Sequence, residues 1–417
     1  MKKRVLIAVP FVLALVVILG ILSLSVRPAY SGVNYSPAEL RSETENTIKF
    51  NSDGKLKILH ITDTHLKANH NFDPTIWLVE KACDTEKPDI VMLTGDIVLN
   101  CETEDETKKL INALMNVFDS RNIPVAVTFG NHDSEQGAMS REDLMAYYNT
   151  FSCSVSLDDG ESISGCGTYN VPVFSSDGKT VKFNLWVFDS GDYDAEGHYS
   201  CVKPDQIEWY KQTSDKLKAE NNGEVVNSLV FQHIIVAEVY DALQKTDSKK
   251  PYAYKHLYND NEYYMFDPER VNYGAIRETP CPGYENFGQF EAMVEKGDVL
   301  AMFTGHDHTN AFAVEHRGID IVNSLSTRYI GLFHATQCGY RVIEVDENNT
   351  AEYETRVERI YNIFNFETVK QEKQNGDEFK YKMAREFAVK GKVQKFATEL
   401  CRKISEAITG RQVCYAD

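Results

Sequence analysis

The sequence lacks an excess of positive charge, because its 44 lysine and arginine residues are outnumbered by 62 aspartate and glutamate residues. The net charge is -18. A surface of this sign repels a phosphate backbone, which argues against a nucleic-acid polymer as a partner. The chain also lacks any C-x-x-C pair, which excludes a zinc site built on such pairs, and it shows no internal repeat. With 417 residues and 42% hydrophobic content, it is long enough for one large globular domain or two ordinary ones.

The chain begins with a long apolar run, Val5–Leu24, directly after the basic residues Lys2–Arg4. A helix of about 20 residues is about 30 Å long, which matches the hydrocarbon core of a bilayer. Positive charge before the run keeps that end in the cytoplasm, so we expect the rest of the chain to be exported. The length of the run favours an uncleaved anchor, whereas Ser23–Ser25 and Ala29–Ser31 resemble cleavage sites. Residues 1–25 therefore predict a membrane-anchored protein, or a secreted one if the segment is a cleaved signal peptide.

Nine cysteines suit an exported chain that forms some disulfides. Cys153 and Cys166 enclose a loop rich in serine, aspartate and glycine, and we expect them to form a bridge. Cys401 and Cys414 are the second candidate pair. The alternative is that the cysteines are free and buried as small hydrophobic side chains.

From residue 55 onward, short apolar runs typical of buried strands alternate with amphipathic stretches typical of helices. The short links between them indicate an α/β catalytic domain over residues 55–350, preceded by a polar linker at 26–54. Residues 240–285 interrupt the pattern, and we expect them to form an inserted loop without regular structure. Residues 351–417 are predicted to form a C-terminal strand and a helical extension rich in lysine and glutamate.

Polar side chains follow directly where five of the predicted strands end. In open α/β sheets this edge is where ligands bind. Each instance alone has an ordinary explanation as a turn or a structural histidine, but five of them in one chain indicate a common site. The residues are Asp63 and His65, Asp96, Asn131 and His132, His233, and His306 and His308.

In this order, the motifs Asp-x-His, Gly-Asp, Gly-Asn-His-Asp, a lone His and Gly-His-x-His resemble those of the calcineurin-like metallophosphoesterases over residues 55–345. The resemblance implies an α/β fold with two mixed β-sheets packed as a sandwich and helices on the outer faces. It also implies a pair of metal sites, whose ligands are Asp63, His65 and His308 for one ion, Asn131, His233 and His306 for the other, and Asp96 for both. His132 would then stand beside the substrate and Asp133 behind it.

Imidazole and oxygen ligands together suit two divalent or trivalent transition metal ions, Fe, Mn or Zn, better than Ca or Mg. Such a pair attracts a phosphate anion despite the acidic protein and provides a metal-bridging hydroxide as nucleophile. His132 can protonate the leaving oxygen as general acid, and Asp133 can orient it. We therefore expect a hydrolase that cleaves phosphate monoesters of small molecules or phosphoproteins. The alternatives are a phosphodiesterase acting on nucleotides or lipid head groups and, in another class, a non-catalytic surface binding module on a phosphatase scaffold.

Two details refine this interpretation. Segments such as Pro204–Tyr210 and Thr304–Asn310 resemble the single-domain relatives of purple acid phosphatases. Those enzymes place a tyrosine three residues after the bridging aspartate, where this chain has Leu99. The difference argues against a tyrosinate-bound ferric ion, and we expect His65 to take the coordination position that the tyrosine leaves.

The insert begins soon after His233 and carries seven tyrosines between Tyr252 and Tyr284. Long segments beside active sites are often lids or binding loops. We expect the insert to border the metal cleft and to select substrate. The alternative is a surface excursion packed by its own aromatic side chains.

Overall fold

The structure is a computed structural model. It describes residues 47–400, apart from 69–71, 136–137, 158–162, 248–249, 251–252, 268, 330–337, 379, 386, 390–391, 394–395 and 397–399. The predicted N-terminal membrane segment and the Cys401–Cys414 pair lie outside these residues. Among the helices that are described, none is both long and apolar enough to cross a bilayer.

Strands and helices alternate along most of the described chain. The strands are β1 (Lys55–Ile61), β2 (Ile90–Thr94), β3 (Val125–Thr128), β4 (Tyr169–Phe174), β5 (Val181–Val187), β6 (Ser228–Phe231), β7 (Gln244–Thr246), β8 (Tyr254–His256), β9 (Asn259–Met265), β10 (Val271–Ala275), β11 (Val299–Thr304), β12 (Ala311–His316), β13 (Ile319–Asn323), β14 (Gly339–Asp346) and β15 (Asn349–Arg359). The helices are α1 (Asp73–Glu86), α2 (Glu104–Asp119), α3 (His132–Glu135), α4 (Arg141–Tyr148), α5 (Pro204–Glu220), α6 (Gln289–Lys296), α7 (Ile360–Ile363) and α8 (Phe366–Asn375), with a 3₁₀ turn at Ala237–Val239.

Two large mixed sheets pack face to face. The first has the order β15-β14-β1-β2-β3, and the second has the order β10-β12-β13-β11-β6-β5-β4. Apolar side chains of both sheets fill the space between them, among them Ile58 and Met92 from the first and Leu185 and Phe303 from the second. The structure therefore confirms the predicted α/β sandwich of two mixed sheets.

Helices cover the outer face of each sheet. Successive residues of a strand point to opposite faces, so Ile58 of β1 packs between the sheets and Leu59 packs outward. Trp77 of α1 joins the outer core of the first sheet, and Ile207 of α5 joins the outer core of the second. The predicted placement of helices outside the sandwich is thus also confirmed.

The insert has regular structure, contrary to the prediction of a structureless loop. Strands β7, β9 and β8 form a small antiparallel sheet, and β10 pairs with β12 at the edge of the second large sheet. Most residues of β9 are half-buried or exposed, so the strand lacks the apolar alternation by which strands are recognised. Aromatic contacts hold this sheet instead, with the ring of Tyr240 4.0 Å from His256 and 4.9 Å from Tyr264.

Cys153 and Cys166 do not form the predicted bridge. Neither forms a disulfide, and the same holds for all seven cysteines in the described part of the chain. Both side chains are buried in the outer core of the first sheet, and burial raises the pKa of the Cys153 thiol. Each packs as a small hydrophobic residue, which is the alternative that the composition left open.

The C-terminal segment covers the outer core of the first sheet. Phe364 lies between two elements: its ring is 4.4 Å from that of Trp77 in α1 and stacks at 4.8 Å on that of Phe387. Met383 and Ala384 are buried in the same core. The described residues after 377 are helical, as the sequence predicts. The domain boundaries drawn from the sequence stay predictions.

A polar network runs through the core between the sheets, directly beneath the carboxyl ends of the strands. His60 of β1 lies 2.7 Å from Thr94 Oγ1 and 3.0 Å from Ser324 Oγ, and both of its ring nitrogens are used. Arg341 is fully buried and donates to the same Ser324 hydroxyl at 2.8 Å. Burial and the Arg341 charge lower the pKa of His60 to about 3.

We expect this histidine to make the metal-free protein less stable in acid. Between pH 6.5 and pH 3 the unfolded chain binds a proton at His60 that the folded chain excludes, so the free energy of unfolding falls as pH falls. Between pH 7 and pH 5 this one group should cost about 2 kcal/mol. Urea unfolding of chelator-treated protein at the two pH values measures the loss. It should shrink in His60→Gln but not in His316→Gln, and equal losses in all three proteins would contradict the assignment.

Candidate metal centre

The predicted site residues lie where five strands end at one edge of the sandwich. β1, β2 and β3 are parallel neighbours in the first sheet, and β6 and β11 are parallel neighbours in the second. Because parallel strands present their carboxyl ends at one edge, the residues that follow them converge. They form two groups of facing ligand atoms, and Asp96 belongs to both groups.

The first group consists of Asp63, His65, Asp96 and His308, whose ligand atoms lie within 4.8 Å of one another. Nε2 of His308 is 3.3 Å from Oδ1 of Asp63, and Nε2 of His65 is 3.5 Å from Oδ2 of Asp96. The two imidazoles face each other with their Nε2 atoms 2.9 Å apart. These four side chains therefore surround one small volume.

The second group consists of Asp96, His233 and His306, and Asn131 follows β3 at the same edge of the sandwich. Nε2 of His233 lies 3.3 Å from Oδ2 of Asp96, and its Nδ1 donates to the Thr94 carbonyl at 2.8 Å. That hydrogen bond fixes the ring and leaves Nε2 directed at the site, as in known metal centres.

Apart from His65, whose Nε2 is the atom that faces the site, five predicted ligands present a buried polar atom without a hydrogen-bond partner. They are five of the twelve such atoms in the part of the chain that the structure describes. Burying one unpartnered polar atom costs about 1–3 kcal/mol, so five in one place indicate a further group that binds them. Mixed nitrogen and oxygen donors suit transition metal ions, and the residues fit a metal pair. The atoms are Asp63 Oδ1, Asp96 Oδ2, Asn131 Oδ1, His233 Nε2 and His306 Nε2.

The charges of the metal-free site are set by these contacts. Burial alone would raise the pKa of Asp63, but contacts with His308 and other histidines hold it well below its usual range. His233 likewise outweighs the burial of Asp96 and keeps the pKa of that carboxylate low. Burial opposes the charge on His233, yet Asp96 raises its pKa to about 9. Metal binding at this site should therefore release a proton from His233.

The backbone around the ligands is strained and tightly packed. Asp63, His65, Asp96 and His306 all have left-handed φ angles, between 43° and 69°, which are rare for residues other than glycine. Gly305 leaves no room for a side chain, because a Cβ there would lie 2.4 Å from Asp63 Oδ2. Gly95 and Gly130 allow the same close approach between the loops that carry Asp96 and Asn131.

Gly305→Ala should therefore damage the site itself. The added methyl group would lie 2.0 Å from Thr62 Oγ1 and must displace the Asp63 loop, at a cost of about 1–3 kcal/mol in stability. We expect lower metal content as well, measured by elemental analysis of purified protein. Gly178→Ala is the control: it strains a left-handed residue in open space and should keep its metals. Full metal content in Gly305→Ala would contradict this account.

Asp133 does not orient His132, contrary to the sequence prediction. Its carboxylate accepts from the backbone amides of Gly130 and of residues 96–98, at 2.7–3.2 Å. The cause is the short helix α3, which begins at His132 and turns the next side chain away from the cleft. Burial and the Asp96 charge raise the pKa of Asp133 to about 6. Asp133 thus holds the loop that carries the shared ligand Asp96.

Glu135 takes the position beside His132 that was expected of Asp133. Its carboxylate contacts Nδ1 of His132, because residues three apart on a helix share a face. The His132 ring lies 5.4 Å from that of His65, with a side chain that is 29% exposed. Its backbone amide donates to Asp96 Oδ1 at 2.8 Å. His132 therefore faces the first group from the open side of the cleft.

One end of the insert borders this cleft, as predicted. The backbone amides of Arg277 and Glu278 donate to Oδ1 of Asn310, and the Glu278 carboxylate accepts from the amide of Thr309, one residue after His308. The predicted role of the insert in substrate selection stays a prediction. Leu99, at the position of the purple-enzyme tyrosine, is half-buried and carries no ligand atom.

The chain is similar to several known proteins. A model of the calcineurin-like phosphoesterase family matches residues 56–310. A relative in Arabidopsis thaliana, named probable inactive purple acid phosphatase 14, is 29% identical over 319 residues, covering 68% of this chain and 73% of the relative. Phosphatase DCR2 of Saccharomyces cerevisiae is 26% identical over 290 residues, covering 63% of this chain and 45% of the relative. A solved dimetal phosphatase from Danio rerio is 13% identical, covers 72% of this chain and 98% of its own, and gives a TM-score of 0.45. Because the family match spans more than half of the sequence, the chain belongs to the calcineurin-like phosphoesterase family.

Proposed function

We propose that this protein is a dimetal hydrolase that cleaves phosphate monoesters. The observation that carries the proposal is the set of five buried, unpartnered ligand atoms at the strand ends, where two groups of possible metal ligands share Asp96. An acidic chain with such a site can bind a phosphate anion only where metal charge reverses the local sign. The name of one relative, Phosphatase DCR2, supports a monoester as the substrate.

Each residue of the site has a separate role in the proposed reaction. One ion would be held by Asp63, His65 and His308. The other ion would be held by Asn131, His233 and His306. Asp96 would bind both ions. When bound, Fe, Mn or Zn ions supply Lewis acidity and activate water at neutral pH. Asp96 is held in place by the His132 amide, and His132 delivers a proton to the departing oxygen. Glu135 holds the Nδ1 side of that ring, so Nε2 is the nitrogen that faces the substrate.

A second candidate is a scaffold that binds ligands without catalysis. The Arabidopsis relatives carry names that describe them as probably inactive, which favours this candidate. Against it, all seven predicted ligand positions of this chain hold residues able to bind metal, and His132 faces the cleft.

Metal analysis and turnover of two chromogenic substrates, a nitrophenyl monoester and a bis-nitrophenyl diester, separate the candidates. A monoesterase binds about two ions per chain and prefers the monoester. A diesterase binds the same ions and prefers the diester. A non-catalytic module turns over neither substrate after loading with Fe, Mn or Zn, and that outcome would overturn the proposal.

We further propose that the catalytic domain works outside the cytoplasm on phosphorylated small molecules or phosphoproteins. The apolar run at residues 5–24 behind three basic residues supports an N-terminal anchor or signal. Protease added to intact cells should then degrade the catalytic domain. Complete protection, with degradation only after the membrane is opened, would contradict this location.

A further inference from the structure

A short hairpin after β5 places Tyr193 beside the metal centre. Tyr193 and Tyr199 face each other as an antiparallel pair, and the Asp194 amide donates to the His198 carbonyl at 2.8 Å. The hydroxyl of Tyr193 lies 2.9 Å from Nδ2 of Asn131, which is a predicted metal ligand. The hairpin thus reaches the centre from a part of the chain in which no sequence motif marks a site.

Packing, rather than the hydroxyl group, holds the Tyr193 ring. The ring stacks on that of Tyr199, with centroids 5.5 Å apart and planes inclined by 28°. Tyr199 in turn packs edge-on against His306 at 4.3 Å, and its carbonyl accepts from the Tyr284 amide at 2.9 Å. Removing the Tyr193 hydroxyl should therefore leave the ring where it is.

The Tyr193 hydroxyl has a proton to donate. A phenol both donates and accepts, whereas Nδ2 of Asn131 can only donate, so the hydroxyl is the acceptor in that hydrogen bond. The structure shows no acceptor for the Tyr193 proton among the residues that it describes. A phenol has an ordinary pKa of about 10, so the hydroxyl carries its proton at neutral pH.

Two donors therefore stand at the two metal groups. His132 lies beside His65 of the first group, and Tyr193 contacts Asn131 of the second. The transition state of phosphoryl transfer spreads charge over three equatorial oxygens, and fixed donors at those oxygens stabilise it. We propose that the Tyr193 hydroxyl donates a hydrogen bond to a phosphoryl oxygen of the substrate, which makes it a catalytic residue of the reaction proposed above.

Tyr193→Phe tests this role in the full-length, metal-loaded protein. We expect kcat/KM to fall roughly 10–100-fold, the effect of one hydrogen bond to a charged group. The fall should be equal for alkyl and nitrophenyl phosphates, because Tyr193 contacts the phosphoryl group and not the leaving group. The affinity for vanadate, an analogue of the transition state, should fall by a similar factor in a calorimetric titration. Metal content should stay at about two ions per chain.

Tyr147→Phe is the matched control. It removes the same atom from a half-buried tyrosine of α4, whose hydroxyl donates to Asn112 at the outer core of the first sheet, and it should leave kinetics and vanadate affinity unchanged. Unchanged vanadate affinity in Tyr193→Phe would overturn the proposal. So would loss of one metal ion, which would show that Tyr193 only positions Asn131. A wild type that cleaves no phosphoester would contradict the proposed function, whereas vanadate binding would still decide the role of Tyr193.

Discussion

His132→Ala should slow the hydrolysis of an alkyl phosphate by roughly 10²–10⁴-fold, the usual range for loss of a general acid. A nitrophenyl phosphate should slow distinctly less, because its leaving group is already stable as an anion. Both metal ions should remain, since His132 contributes only its backbone amide to the Asp96 carboxylate. The measurement is a leaving-group series on the wild type and the variant. If the variant slows by the same factor across the series, His132 positions the phosphate and the acid role is wrong.

Glu135→Gln and Asp133→Asn are the informative companions of this variant. Glu135 contacts the His132 ring, so its replacement should give a weaker form of the same dependence on the leaving group. Asp133 instead accepts hydrogen bonds from the backbone amides of residues 96–98. The NH₂ group of an asparagine at this position is itself a donor and could not accept from these amides. Asp133→Asn should therefore lower stability and metal content without a dependence on the leaving group. If Asp133→Asn shows the dependence on the leaving group and Glu135→Gln loses stability and metal instead, Asp133 is the residue that orients His132.

Asp96→Asn should remove metal from both sites, because both groups of ligand atoms share this carboxylate. Asn131→Ala and His65→Ala should each empty mainly one site. The activity of Asp96→Asn should fall by more than the roughly 10–100-fold typical of residues that only support a ligand. Metal counting on the three purified variants measures the difference, and equal losses in all three would contradict the shared role.

Asp194→Asn is the matched control for Asp96→Asn. Asp194 also belongs to a cluster of acidic and histidine side chains, with Glu196 and His198, but this cluster is only partly buried, and His198 pairs with Asp194 within it. Both metal ions should stay bound when its carboxylate is neutralised. A loss of metal in this variant would mean that the measured ions do not reside at the strand ends.

The strands and the positions of the ligands were predictable because buried strands are short apolar runs and the ligands are polar residues that follow them directly in the sequence. β6 coincides with one of the short apolar runs, Ser228–Phe231, and α2 with one of the amphipathic stretches, Glu104–Asp119. Ligands that follow such strands converge because parallel strands share an edge, which is a rule of topology that needs no coordinates.

The features that the sequence did not predict depend on the direction in which a side chain points. The direction of Asp133 follows from the helix that begins at His132, and Glu135 could have been recognised from its spacing of three had that helix been foreseen. Tyr193 carries no such signal, because its neighbour Asn131 is 62 positions away. The Cys153–Cys166 pair failed for a related reason: a loop between two cysteines says nothing about where their side chains point.

The shared edge of the two sheets also governs when the protein can acquire metal. Oδ2 of Asp63, after the first strand of one sheet, accepts from the amide of His306, which lies 243 positions later in the other sheet. Neither group of ligands is complete before these distant segments have met, and contacts between such distant segments form slowly in folding. We therefore expect metal uptake to follow the meeting of these segments, so that a bound metal pair would mark a correctly assembled chain.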